Sequence, residues 1–219
     1  MCIKRLLSMN KLISSFACLF SCACLSSCGG AADKSETQPA APEETAESMR
    51  AKSWQKIAPQ DIEGNTFRLF DEEWFALASG KEGDMNMMTI AWGTFGVLWN
   101  KPTVTVYVST SRYTNSFMER NDYFTITHFP PAMRSSLQYI GSVSGRDGDK
   151  VEGSGLTPEF TELGNPIFSE ADLAIECRKI YAHPFDRNLI PLEQREWYDQ
   201  RGLGVHVAYV GEIVNVWKK

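Results

Sequence analysis

Beyond its leader this chain is nearly free of cysteine. Cys2, Cys18, Cys22, Cys24 and Cys28 crowd the first 28 residues, and only Cys177 lies further on. With the leader removed no internal disulfide can form, so an exported domain of this sequence has to rely on its core rather than on cross-links. Histidine is equally scarce, and His128, His183 and His206 are too dispersed to suggest a zinc site. Asp147 and Asp149 lack the remaining spacing of a calcium loop. No G-x-G-x-x-G fingerprint is present, which argues against a dinucleotide-binding domain. The stretch "GSVSG" carries Val143 where a hydrolase elbow carries serine. An excess of basic charge is lacking too. Removing residues 1–27 takes away three of the 22 Lys and Arg residues and none of the 27 Asp and Glu residues, which leaves a net charge of −8 and makes nucleic acid an unfavourable partner. The uncharged run from Leu12 to Leu25 is shorter than the roughly 20 residues that a membrane-spanning helix needs.

That run has another reading. Lys4, Arg5 and Lys11 precede it, which is the shape of a secretory signal. It closes on Leu25-Ser26-Ser27-Cys28-Gly29, which resembles the bacterial lipobox, where a large aliphatic residue and two small ones precede a cysteine that is lipidated and becomes the mature N-terminus. The resemblance implies a signal peptide at residues 1–27, lipidation of Cys28, and a lipoprotein of the bacterial envelope facing the periplasm or the surface. After Cys28, residues 29–50 are rich in Ala, Glu, Thr, Pro and Ser and have almost no large apolar side chain, so a disordered tether is expected over 28–50. Membrane contact would then be through the lipid alone.

Residues 51–219 are expected to form one domain. The segments 74–80, 87–93, 103–109, 123–129, 173–182 and 207–218 are rich in Val, Ile, Thr, Tyr and Phe and read as strands. Helices are fewer. One is predicted at 113–120, with Ser111 as its N-cap and Tyr113, Phe117 and Met118 at helical spacing. A second starts at Pro131 and runs to Ile140, and a third covers 192–198. Many strands with few short helices point to a closed β-barrel with peripheral helices, because closure removes sheet edges. Gly93 and Gly96 sit just beyond a predicted strand, where glycine marks a bulge or a close approach; the sequence leaves open whether a neighbouring strand or a ligand approaches.

Several motifs add to this reading. Asn86 followed by "MTIAWG" at 88–93, "VLWNKP" at 97–102, "SRYT" at 111–114, "GSVSGRDGDK" at 141–150, "GLTP" at 155–158 and "HVAYVGEI" at 206–213 stand in one order. Together they resemble the flavin reductase-like or flavoredoxin family with its FMN-binding split β-barrel, over about Trp54 to the C-terminus. The resemblance implies an FMN site. Thr89, Ile90, Ala91 and Trp92 would lie along the isoalloxazine, with Asn86 as a polar contact and Trp92 as an aromatic wall. Ser111, Arg112, Tyr113 and Thr114 at a helix start, with Lys150, would meet the phosphate, which wants hydroxyls, a helix N-terminus and a cation. Ser142 would add a hydrogen bond, and His206 stands where the family has a histidine near the flavin. Relatives often carry Arg-Pro before this helix, where this chain has Ser109-Thr110.

The function so implied is that of an FMN-dependent oxidoreductase, paired as a homodimer, passing electrons between a donor and an acceptor that the sequence does not identify. An exported protein would meet little NAD(P)H, which favours another envelope redox carrier as donor. The alternative is a non-enzymatic binding lipoprotein that keeps the barrel without redox activity. Cys177, in an apolar alternating segment, reads as a buried inert thiol rather than a redox centre.

Overall fold

The computed structural model describes residues 45–219; the expected signal, Cys28 and residues 29–44 lie outside them. The strands are β1 (Gln55–Ile57), β2 (Phe75–Lys81), β3 (Asp84–Ile90), β4 (Gly93–Leu98), β5 (Lys101–Ser109), β6 (Tyr123–His128), β7 (Pro158–Phe160), β8 (Pro166–Phe168), β9 (Leu173–Pro184) and β10 (His206–Lys218). The helices are α1 (Ala46–Arg50), α2 (Tyr113–Arg120), α3 (Arg134–Ser142), α4 (Lys150–Ser154) and α5 (Leu192–Arg201). Eight strands form one antiparallel sheet in the order β3-β2-β6-β9-β10-β5-β4, with β1 added to β10, while β7 and β8 pair apart.

The sheet's two end strands, β3 and β4, are consecutive in the chain, with only Ala91 and Trp92 between them. Three peptide steps reach at most roughly 11 Å, so the sheet has to curl until its two edges approach. The result is the expected split barrel, open along one seam.

Period-two alternation separates two cores. Phe75, Leu77, Met88 and Ile90 point inward and meet Val104, Val106 and Ile175 inside the barrel. Ala76, Ala78 and Met87 point outward and are covered by Leu137 and Ile140 of α3. The alanines matter here, because small side chains let a helix lie close to the sheet. Helix α2 sends Met118 into the barrel core, and its Phe117 carbonyl accepts from Ser79 Oγ at 3.3 Å. Each fully buried aliphatic or phenyl side chain stabilises the fold by about 1.5–3 kcal/mol. The β4–β5 hairpin turns through Trp99 and Asn100, at φ 51° and 57°. That is the left-handed pair a two-residue hairpin favours.

Four expectations need correction. The end of the expected tether is folded: Ala46–Arg50 forms α1, Met49 is buried, and Arg50 Nε donates to the buried Glu170 at 2.6 Å. One apolar anchor and one ion pair hold a segment whose composition reads as spacer. Ser111 is not the N-cap of α2; Arg112 is, without a side-chain cap bond. Gly93 and Gly96 lie within β4 rather than beyond a strand. Finally, the strand expected at 87–93 is Asp84–Ile90, so Trp92 falls in the seam.

Candidate functional site

At the seam, β3 exposes the polar edge of its backbone away from β2, and the surrounding helices compensate for it. Lys150 Nζ donates to Met87 O and to Ile140 O, both at 2.8 Å, which ties the strand edge to the last turn of α3. Thr89 Oγ1 donates to Leu137 O, and a Cβ on Gly141 would come within 3.2 Å of Thr89. Asn86 Nδ2 donates to Thr114 Oγ1 at 2.9 Å, tying β3 to α2. A Cβ on Gly145 would lie 2.3 Å from Asn86 Oδ1, so only glycine lets that loop close down on the strand. Arg112 Nη1 reaches across to Gly141 O at 3.0 Å. The residues predicted from separate motifs are thus brought together along the free edge of β3.

Their exposure sorts them into two roles. Asn86, Ile90, Thr114 and Lys150 are buried. Ile90 points into the barrel core, so only its peptide group faces the seam. Ser111, Arg112, Ser142 and Trp92 are exposed, while Thr89, Ala91, Tyr113 and His206 are half-buried. Ser142 Oγ donates to Tyr139 O at 2.9 Å, and Ser144 turns the chain by accepting from Arg146 N. Ser109, in the place of the family's usual Arg-Pro, shares a 2.9 Å hydrogen bond with Ser111 Oγ and donates to Gly204 O at 2.8 Å. The buried set therefore positions the backbone, while the exposed set stands open to solvent.

The electrostatics are one-sided. Burial pulls Lys150 down to about 8, with repulsion from Arg112 adding to the effect. Burial, again followed by Arg112, also lowers His206. Among the described residues neither Arg112 nor Lys150 has a carboxylate within ion-pair distance. In a chain of net negative charge, a guanidinium that bears on both Lys150 and His206, with no carboxylate paired to it, favours an anion. Tyr198 Oη lies 2.6 Å from His206 Nδ1, and burial raises the Tyr198 pKa. A protonated phenol beside a neutral imidazole donates to Nδ1, which leaves the ring proton on Nε2.

Trp92 is 49 % exposed and packs its indole 5.1 Å from the His206 ring and 5.9 Å from Trp197. A cavity of about 710 Å³ opens on the side of Trp197, and another of about 570 Å³ is bordered by Phe67, Phe70, Ala91 and Tyr107. Ser111, Arg112 and Ser142 line neither of them. Sequence reasoning placed a helix at 192–198 but gave the 183–198 segment no part in a site. Its legible signal was the Trp197-Tyr198 pair in an otherwise charged helix. Cys177 is buried, and burial raises its thiol pKa well above the ordinary value.

An open-seamed antiparallel barrel with a basic, aromatic-walled edge is the class of protein these features define. Residues 71–219 match the flavin reductase like domain, and the chain belongs to that family, which gives it a flavin-related function at the level of the family. Flavoredoxin from Methanosarcina acetivorans is 26 % identical, covering 75 % of this chain and 76 % of its own, with a TM-score of 0.54. The FMN-binding protein from Thermus thermophilus with bound p-hydroxybenzaldehyde is 21 % identical over 75 % of this chain and 82 % of its own, with a TM-score of 0.55, a likeness of fold alone. The protein YddH of Escherichia coli K12 is 35 % identical over 102 residues, 44 % of this chain, and the match spans about half (52 %) of that relative. No helix among the described residues is long and apolar enough to cross a membrane.

Proposed function

We propose that this chain binds FMN against the seam edge of β3 and works as an FMN-dependent oxidoreductase. The observation that carries the proposal is the placing of Arg112 beside Lys150 and His206 without an acidic partner, next to the edge of β3 that no strand pairs and to the Trp92 indole. The donor set suits the cofactor. Ser111, Arg112 and Ser142 present hydroxyls and a guanidinium to a phosphate, and the peptide groups of 89–92 present donors and acceptors to a polar ring edge. Asn86, Thr114 and Lys150 act behind them, holding β3, α2 and α3 in register. His206 offers Nε2–H as a donor, and Trp92 shields one side from water. Bound FMN supplies two-electron redox chemistry, while the protein orients it and sets its electrostatic surroundings.

The family resemblance supports a homodimer with FMN near the subunit interface, where the exposed Ser111, Arg112 and Ser142 would lie. The lipobox-like cysteine supports attachment to the bacterial envelope through Cys28, and with it a donor other than NAD(P)H. The test is purification from membranes of the native host. A yellow protein that releases FMN on denaturation supports the reading, and Cys28→Ser should release that protein from the membrane fraction. A colourless protein that takes up neither FMN nor FAD sinks it in favour of the non-enzymatic alternative.

A further inference from the structure

The cavity beside Trp197 belongs to none of the residues assigned above to phosphate or ring edge, yet it shares Trp92 with them. Its walls come from the end of β9, the connection 185–191 and α5, and they are mainly apolar, through Pro184, Phe185, Leu189, Ile190, Trp197 and Tyr198, with His183 and Gln194 among them. The charged groups on its rim are Asp186 and Glu193, and no Lys or Arg lines it. Asp186 is engaged in the turn through Asn188 N at 2.8 Å, and the nearby Arg187 is paired with Asp199 at 2.8 Å. The cavity floor is fixed by contacts that do not need a ligand, since Tyr107 packs 5.7 Å from Phe185 and Trp197 lies edge-on to Tyr198 at 5.1 Å.

Resting on the flavin reading of the neighbouring edge, we propose that this cavity is the site of the second substrate, and that the substrate class is a neutral, apolar ring compound rather than a nicotinamide dinucleotide. Size and chemistry both point that way. About 710 Å³ is the volume of a small-molecule pocket, and a wall of two tryptophans, a phenylalanine and a tyrosine suits a flat ring. A dinucleotide carries a diphosphate that calls for cations or a helix N-terminus. Here it would meet two carboxylates instead. Trp92 forms the shared wall, so a ring seated in the cavity would lie against the indole and next to the seam edge.

The test is calorimetric titration of the full chain, both flavin-free and flavin-loaded, with 2-methyl-1,4-naphthoquinone as the neutral probe and NADH as the charged one. Saturable one-to-one binding of the quinone that quenches tryptophan emission, with NADH at least tenfold weaker, is the expected result. Leu189 is 82 % exposed, so Leu189→Asp leaves the core intact; it should weaken the quinone by about tenfold by placing a third carboxylate at the cavity. NADH binding as tightly as the quinone overturns the proposal, as does an unchanged affinity in Leu189→Asp. A Leu189→Asp chain that changes its sedimentation mass without changing quinone affinity also overturns it, and assigns the cavity to a second copy. Flavin uptake is read separately from visible absorbance. Quinone binding lost with flavin uptake intact defeats this inference alone, and the converse defeats the flavin reading alone.

Discussion

Gly93→Ala isolates one packing contact that also sets the seam. A Cβ at residue 93 would sit 2.2 Å from Phe70 Cε1 and 2.5 Å from Cζ, where unstrained carbons need about 3.5 Å or more. The phenyl ring cannot swing away freely. It is 3 % exposed and sits between Phe75, at 4.9 Å, and Phe95, at 5.4 Å. Overpacking of this kind destabilises by about 1–3 kcal/mol, against a gain of about 0.4–1 kcal/mol from a stiffer unfolded chain. For a domain of this size each kcal/mol moves the melting temperature by about 2–4 °C, so with so short a contact in the upper half of that overpacking range the net loss of about 1–2.5 kcal/mol lowers the melt by roughly 2–10 °C, read by circular dichroism. Gly96→Ala is the control, because nothing lies within 4 Å of its added carbon and its melt should match or slightly exceed the parent. In a Phe70→Leu background the Gly93→Ala penalty should largely vanish, a coupling of about 1 kcal/mol or more. A Gly93→Ala melt equal to the parent, or a penalty undiminished by the Phe70→Leu change, would refute the assignment of this glycine to packing.

Three further outcomes follow from the structure. Arg112→Gln should weaken FMN by about 10- to 100-fold in a fluorescence titration, through loss of a charged hydrogen bond, while leaving the melt within about 1 °C because the side chain is exposed; unchanged affinity would remove Arg112 from the phosphate site. Burial disfavours the charge on His128, but Asp172 at 2.7 Å and Glu73 at 3.0 Å outweigh it and raise its pKa. A raised basic pKa stabilises fully below the unfolded value of 6.5 and fades as pH rises through the folded one, so urea midpoints should fall above about pH 6.5, with His128→Gln flattening the trend. Native Cys177 should resist thiol reagents that label it at once in denaturant, and Cys177→Ala should reduce flavin at the parental rate; rapid native labelling would reopen a redox role.

Much of the architecture was readable because it is written in period-two alternation. The runs around 74–80, 103–109, 123–129 and 173–182 each carry the inward set that fills the barrel. Strand β4 was not readable, since two glycines and an exposed Val97 dilute its apolar face. The α1 segment was hidden for a related reason: composition averages over residues, whereas a single buried Met49 and the Arg50–Glu170 pair decide the local outcome. At the site, motif order located the right neighbourhood but not depth. Nothing in "SRYT" tells that Thr114 of α2 is buried while Arg112 is exposed, because depth depends on how loop 143–149 folds over Asn86. The 183–198 wall had no motif at all, and its aromatic character emerges only when α5 is laid beside Trp92.

The two-residue passage from β3 to β4 makes ring closure a short-range event. Bringing the first and last staves of the sheet together requires fixing Ala91 and Trp92, and the entropy of so small a loop is minor. The surface those residues offer therefore exists only while the whole circumference is intact, including β10 far along the chain. Anything captured there grips the hoop as well as itself, so occupancy should be felt as resistance to unfolding throughout the molecule.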